Sequence, residues 1–141
     1  MDKNTDELMN KLRSAEEIND LDSFLHDDLS DTEDFKTYIK NVMEEKNITP
    51  PELQKKSRID RTYLYQILDG RRNPGRDKVI MLSIGTGLDL KNVQRALKTA
   101  GCSILYPKNR RDSILIFGID SGESVAGINL LLERYGEAPL K

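Results

Sequence analysis

The sequence predicts an all-α protein, on three observations. Residues 49–69 read as two short helices, each with its own start signal, joined by a tight turn. Apolar residues recur at spacings of three and four on both sides of that stretch, the period of a helix with one buried face. The one run that reads equally as a strand, Ser113–Ile119, has no second strand to pair with, which favours a helix there too.

The first 33 residues form an acidic N-terminal arm. Residues 1–13 carry only Leu8, Met9 and Leu12, enough for a frayed helix at best. Ser14-Ala15-Glu16-Glu17 is a capping box, and Ile18, Leu21 and Leu25 follow as a stripe with Phe24 alongside. A helix over Ala15–Leu25 is expected to dock by this face. Asp27–Asp34 is an acidic connector, and His26, the only histidine, reads as a surface residue.

A central domain spans residues 34–100. Phe35, Tyr38, Ile39 and Val42 mark the inner face of its first helix, ending around Asn47. The second helix starts at Thr49, which caps, with Pro50 at the first helical position and Glu52 three after the cap. It ends near Ser57. Asp60 caps the third helix, Arg61–Leu68, in which Leu64, Ile67 and Leu68 share one face while Arg61, Thr62, Tyr65 and Gln66 point elsewhere. Gly70 stops it. After a basic loop, Asp77–Ile84 is a fourth helix with Val79, Ile80 and Leu82 available to the core, closed by Gly85 and Gly87. Asp89 caps a fifth, Leu90–Ala100, with Val93, Ala96, Leu97 and Ala100 facing inward and Gly101 after it.

Residues 101–141 form a small C-terminal helical extension. Tyr106-Pro107-Lys108-Asn109 is a turn, the segment 113–119 follows, and Ser124 caps Val125–Tyr135. Val125, Ile128, Leu131, Leu132 and Tyr135 fall on one side of that last helix. The pair either covers the fourth and fifth helices or forms a dimer surface.

Composition bounds the function. At 141 residues the chain suits one domain with an appendage, and 37% apolar with 33% charged residues describes a core with a well-solvated surface. A single cysteine, Cys102, excludes an internal disulfide and a cysteine-based zinc site and fits a reducing compartment. The polar start MDKNTDEL shows no signal peptide, and Ile114-Leu115-Ile116-Phe117 is too short to span a membrane, so a cytoplasmic protein is expected. The net charge of −2 hides a division: residues 1–34 hold twelve acids against three bases, or −9, and the remainder 19 bases against 12 acids, or +7. Within 55–78, eight bases meet three acids. A basic patch lying on a helix, turn and helix is the footprint of nucleic-acid binding.

The segment Phe35–Leu90 resembles the repressor-like DNA-binding domain of the XRE family. The resemblance rests on Ile39, Leu53, Ile59, Leu64, Ile67, the Asp69-Gly70-Arg71-Arg72-Asn73-Pro74 loop and the closing Gly87-Leu88-Asp89-Leu90. The string Ile59–Ile67 also resembles a subgroup from Gram-positive bacteria whose domain carries a similar C-terminal extension. The resemblance implies a repressor-like five-helix helix-turn-helix domain, and a sequence-specific transcriptional regulator that lays residues 60–69 in the major groove of double-stranded DNA. It places base reading on Arg61, Thr62 and Gln66, with Tyr65 at the margin. Their chemistry agrees, since Arg pairs with guanine, Gln with adenine, and the Thr methyl meets that of thymine. Phosphate contacts are expected from Arg71, Arg72 and Asn73, from Arg76 and Lys78, and from the amide end of the helix at Thr49. A homodimer on two half-sites is expected.

Three residues depart from the family pattern. Pro50 replaces a polar side chain, commonly Gln; Gln54 replaces a small Ala; Arg58 replaces the turn Gly, where a positive φ is strained. With the acidic arm, these departures motivate the alternative, a protein-interaction adaptor for a kinase or toxin partner reached through residues 1–33. The arm is also read as able to fold over the basic face. No cofactor, metal or catalytic group is expected. Gly85-Thr86-Gly87 lacks the Gly-Lys-Ser/Thr of a phosphate loop, and Gly118-Ile119-Asp120-Ser121-Gly122 misplaces its serine for a nucleophile elbow.

Overall fold

The computed structural model of the chain describes residues 33–141, which contain helices and no strand. The expected helix at Ala15–Leu25 lies outside them. In chain order the helices are α1 (Phe35–Glu45), α2 (Pro50–Ser57), α3 (Arg61–Leu68), α4 (Arg76–Gly85), α5 (Leu90–Thr99), α6 (Arg110–Asp120) and α7 (Val125–Arg134).

Every start but that of α4, where Gly75 precedes the helix with no side-chain cap, is set by a short polar side chain that satisfies a first-turn amide. Asp34 accepts from Thr37 N at 2.8 Å, Asp89 from Asn92 N at 3.0 Å, and Ser124 from Gly127 N at 3.1 Å. α1 stops two residues short of Asn47, which takes φ 55° while Ile48 N donates back to Met43 O at 2.8 Å. The segment 113–119 is helical and lies within α6, whose start moves back to Arg110 because Asn109 caps it, accepting from Asp112 N at 2.9 Å.

One core runs through the described residues. Ile39, Leu53, Leu64, Ile67, Ile80, Leu82 and Leu97 are joined in it by Leu105, Leu115, Ile128, Leu132 and Leu140. Asp34–Lys141 accordingly forms one compact unit, and the segment after residue 100 packs within it. α6 lies on α5 and α7 on α4, so of the two arrangements open for the extension, the covering one is present.

Two glycines allow helices to approach closely. Gly85 is the last residue of α4, and a Cβ there would lie 2.9 Å from Ser57 N of α2. At Gly118 in α6 a Cβ would lie 2.6 Å from Ile128 Cγ1 of α7.

The extension is also bound by charge. Arg76 and Asp77 open α4, Arg111 and Asp112 open α6, and the two pairs bond reciprocally. Arg76 places both terminal nitrogens on the Asp112 carboxylate at 2.8 Å, and Arg111 does the same to Asp77 at 3.0 Å. Arg111 also donates to Ala138 O and Pro139 O, which fixes the final residues beside Asp77.

Candidate nucleic-acid interface

The turn between α2 and α3 is built from Arg58, Ile59 and Asp60. Arg58 is the left-handed residue, with φ 61°, so the backbone keeps the conformation a glycine would favour. Ser57 is buried beneath it; its Oγ accepts from Ile59 N at 3.3 Å and donates to Gln54 O at 3.5 Å. Ile59 is driven into the core, and Asp60 then accepts from Tyr63 N at 3.3 Å, starting α3. At the other end of α2, Thr49 accepts from Glu52 N at 3.4 Å and donates to Glu52 Oε1 at 3.1 Å. The Thr49 hydroxyl is thus engaged by its own helix.

α3 buries Leu64, Ile67 and Leu68 and presents Arg61, Thr62 and Tyr65 to solvent, with Gln66 half-buried. This division follows from the 3.6-residue period. The Arg61 guanidinium lies over the Tyr65 ring, 5.5 Å from its centre.

The following loop folds back on the same helix. Arg72 N donates to Gln66 O at 3.2 Å and Arg72 Nε to Gln66 Oε1 at 2.8 Å. The Arg72 guanidinium then sits 4.7 Å from the centre of the Tyr63 ring, and Lys78 Nζ comes to 5.1 Å of the same ring. One aromatic therefore holds two cations from different segments, an arrangement worth about 0.5–1 kcal/mol per cation at an exposed site. Arg71 pairs with Asp69 at 2.7 Å; their mutual hydrogen bond lowers the Asp69 pKa and raises that of Arg71. The pair is exposed, so its hold on Arg71 is weak. Asn73 is exposed and Pro74 buried.

The expected site residues thus divide. Arg61, Thr62, Tyr65, Gln66, Arg71, Arg72, Asn73 and Lys78 line one side of α3 and its loop. Arg76 does not join them. Besides Asp112, its guanidinium donates to Ser103 O and Ile104 O, each at 2.9 Å, so that four of its five N–H groups are engaged within the fold. It is a clamp for the C-terminal segment, not a free cation for phosphate. The reason is Asp112, a buried acid 36 residues on, whose need for a cation outweighs exposure of Arg76 to solvent. Gln66 has one amide lone pair committed to Arg72, so its first role is to aim that side chain.

Sequence reads Tyr63 as a packing or phosphate-contacting residue, not as a platform for two cations, and gives Asp112 no role. An aromatic nine residues before an arginine is no signal until the loop is seen to fold back. Comparison with family models, with curated proteins and with solved structures finds no match. No helix among the described residues is long and apolar enough to cross a membrane.

Proposed function

We infer that the outer face of α3 and the loop behind it bind double-stranded DNA, and that the protein is a sequence-specific transcriptional regulator. The observation that carries this reading is the arrangement around Tyr63. Arg72 and Lys78 are held over one ring beside an exposed helical face carrying Arg61, Thr62 and Tyr65. A helix of this width enters the major groove, and its first turn reaches base edges. Arg61 and Thr62 occupy that turn. Arg72 and Lys78, braced outside it, are suited to the flanking phosphates, with Arg71 and Asn73 beside them. A dimer would read two half-sites about one helical turn apart.

Mobility shift and fluorescence anisotropy on fragments selected from genomic DNA test this reading. Arg61→Ala should narrow the gap between selected and random sequence by about 1–3 kcal/mol. Arg72→Ala should weaken all sequences alike and reduce the slope of log affinity against log salt by about 1. Arg76→Ala should leave that slope unchanged in any protein that remains folded. Equal behaviour of the Arg61 and Arg72 variants would remove the assigned roles. Absence of salt-dependent duplex binding would leave the adaptor reading in its place.

A further inference from the structure

One cation beside the candidate interface belongs neither to α3 nor to its loop. Lys36 is the second residue of α1, and its side chain lies across Gly70, just after α3. A Cβ on Gly70 would stand 3.2 Å from Lys36 Cδ and 3.3 Å from its Nζ, and φ there is 85°. The place is open to Lys36 only because no side chain fills it. With Arg72 and Asn73, Lys36 lines a cavity of about 470 Å³ between the start of α1, the loop and the end of α5. These three residues are exposed, and the buried Phe35, Ile67 and Pro74 form the inner wall.

Local stability does not ask for a lysine here. The first turn of a helix is the positive end of its dipole and favours acids, yet α1 has no acid in that turn and carries Lys36 instead. Among the described residues Lys36 makes no hydrogen bond or ion pair. Two carboxylates stand near it, and each already has a partner. Asp34 accepts from Thr37 N at 2.8 Å, and Asp69 from Arg71 Nε at 2.7 Å. Those hydrogen bonds are the main cause of the lowered pKa of each acid, and the charge of Lys36 adds to both. Counting Arg71, Arg72 and Lys78 with Lys36, four bases meet two acids on this side of the loop.

We propose that this cavity seats the sugar-phosphate backbone of the duplex beside α3, and that Lys36 is a phosphate contact supplied by α1. The proposal rests on the reading of α3 as a DNA-binding helix and extends that face by one element. A strand passing the loop meets two cations, Arg72 and Lys36, and a neutral donor, Asn73, on one concave surface. The cations suit phosphate oxygens, and the apolar inner wall suits the sugar between them. None of the three reaches a base from there, so the contact fixes where the duplex lies without choosing its sequence. Lys36 stands in the first turn of α1, where an unpaired ammonium weakens the helix, and a bound phosphate supplies the missing negative charge.

The experiment is fluorescence anisotropy of the full chain on a selected duplex at several salt concentrations. Lys36→Gln should reduce the slope of log affinity against log salt by about 1 and leave the ratio between selected and random sequence unchanged. Lys36→Arg should keep the original slope. Lys91→Gln removes the same charge from the start of α5, whose other end borders the cavity, and should also leave the slope alone. Methylphosphonate linkages, which neutralise one phosphate at a time, locate the contact. At one linkage the unaltered protein should lose affinity and Lys36→Gln should not. If Lys36→Gln keeps the original slope while Arg72→Ala lowers it, the seat is wrong and the DNA reading stands. If Lys36→Gln and Lys91→Gln act alike, or no linkage separates Lys36→Gln from the unaltered protein, the effect is one of general charge and the proposal is overturned. A chain that shows no salt-dependent duplex binding at all overturns both.

Discussion

Arg58 keeps a left-handed backbone without being glycine, at a strain of roughly 1–2 kcal/mol. Its carbonyl and amide are dictated by the turn, and its side chain is exposed. Arg58→Gly should therefore stabilise the protein, by about 1 kcal/mol after the added freedom of the unfolded glycine is subtracted. Urea unfolding measures it, and a loss of stability would mean the side chain contributes more than the backbone costs. The opposite applies at Gly85, where an added methyl meets the backbone of Ser57. Gly85→Ala should cost about 1–3 kcal/mol, because backbone atoms cannot step aside as a flexible side chain would. The strain at Arg58 is legible in sequence, since a turn position between two capped helices asks for a positive φ. The close approach at Gly85 is not; a glycine at a helix end reads as a stop signal whether or not another helix lies against it.

At the scale of elements, boundaries were legible wherever a capping residue preceded an apolar stripe, as at Thr49, Asp60, Asp89 and Ser124. The start of α6 was hidden because its first turn is Arg110-Arg111-Asp112, all charged, and two of the three are buried or half-buried only through their partners on α4. A sequence records charge but not pairing, and for that reason Arg76 read as a phosphate contact. The clamp gives a direct prediction. Asp112→Asn leaves the Arg76 guanidinium without its counter-ion and should cost about 2–3 kcal/mol, less than a wholly buried pair because Arg76 is 26% exposed. Tyr63→Leu should cost about 1–2 kcal/mol, the two cation–ring contacts together, while weakening duplex binding, since it removes the ring beneath Arg72 and Lys78.

For the molecule as a whole, the shared core makes the C-terminal segment indispensable. A chain ending at residue 100 loses Leu105, Leu115, Ile128 and Leu132 from that core. It should bind a hydrophobic dye and lack a cooperative thermal transition. The clamp also sets a response to acid. Burial works to raise the Asp112 pKa, but hydrogen bonds from Arg76 and the Tyr106 amide, with the nearby Arg111, outweigh it and hold the group below its ordinary 3.8. A carboxyl depressed in the folded state stabilises above its unfolded pKa, and that stability is lost as pH falls through the folded value. Unfolding free energy should thus drop below about pH 4, and the drop should be smaller in Asp112→Asn.

Leu140 is buried and its amide donates to Asn129 Oδ1 at 2.8 Å, so the core closes only when this residue arrives. On the ribosome, the helices that carry the cationic face emerge before the leucine that seals their interior. Consolidation of that interior therefore waits until Leu140 has left the exit tunnel, so the segment from α1 to α5 does not complete its packing as it emerges.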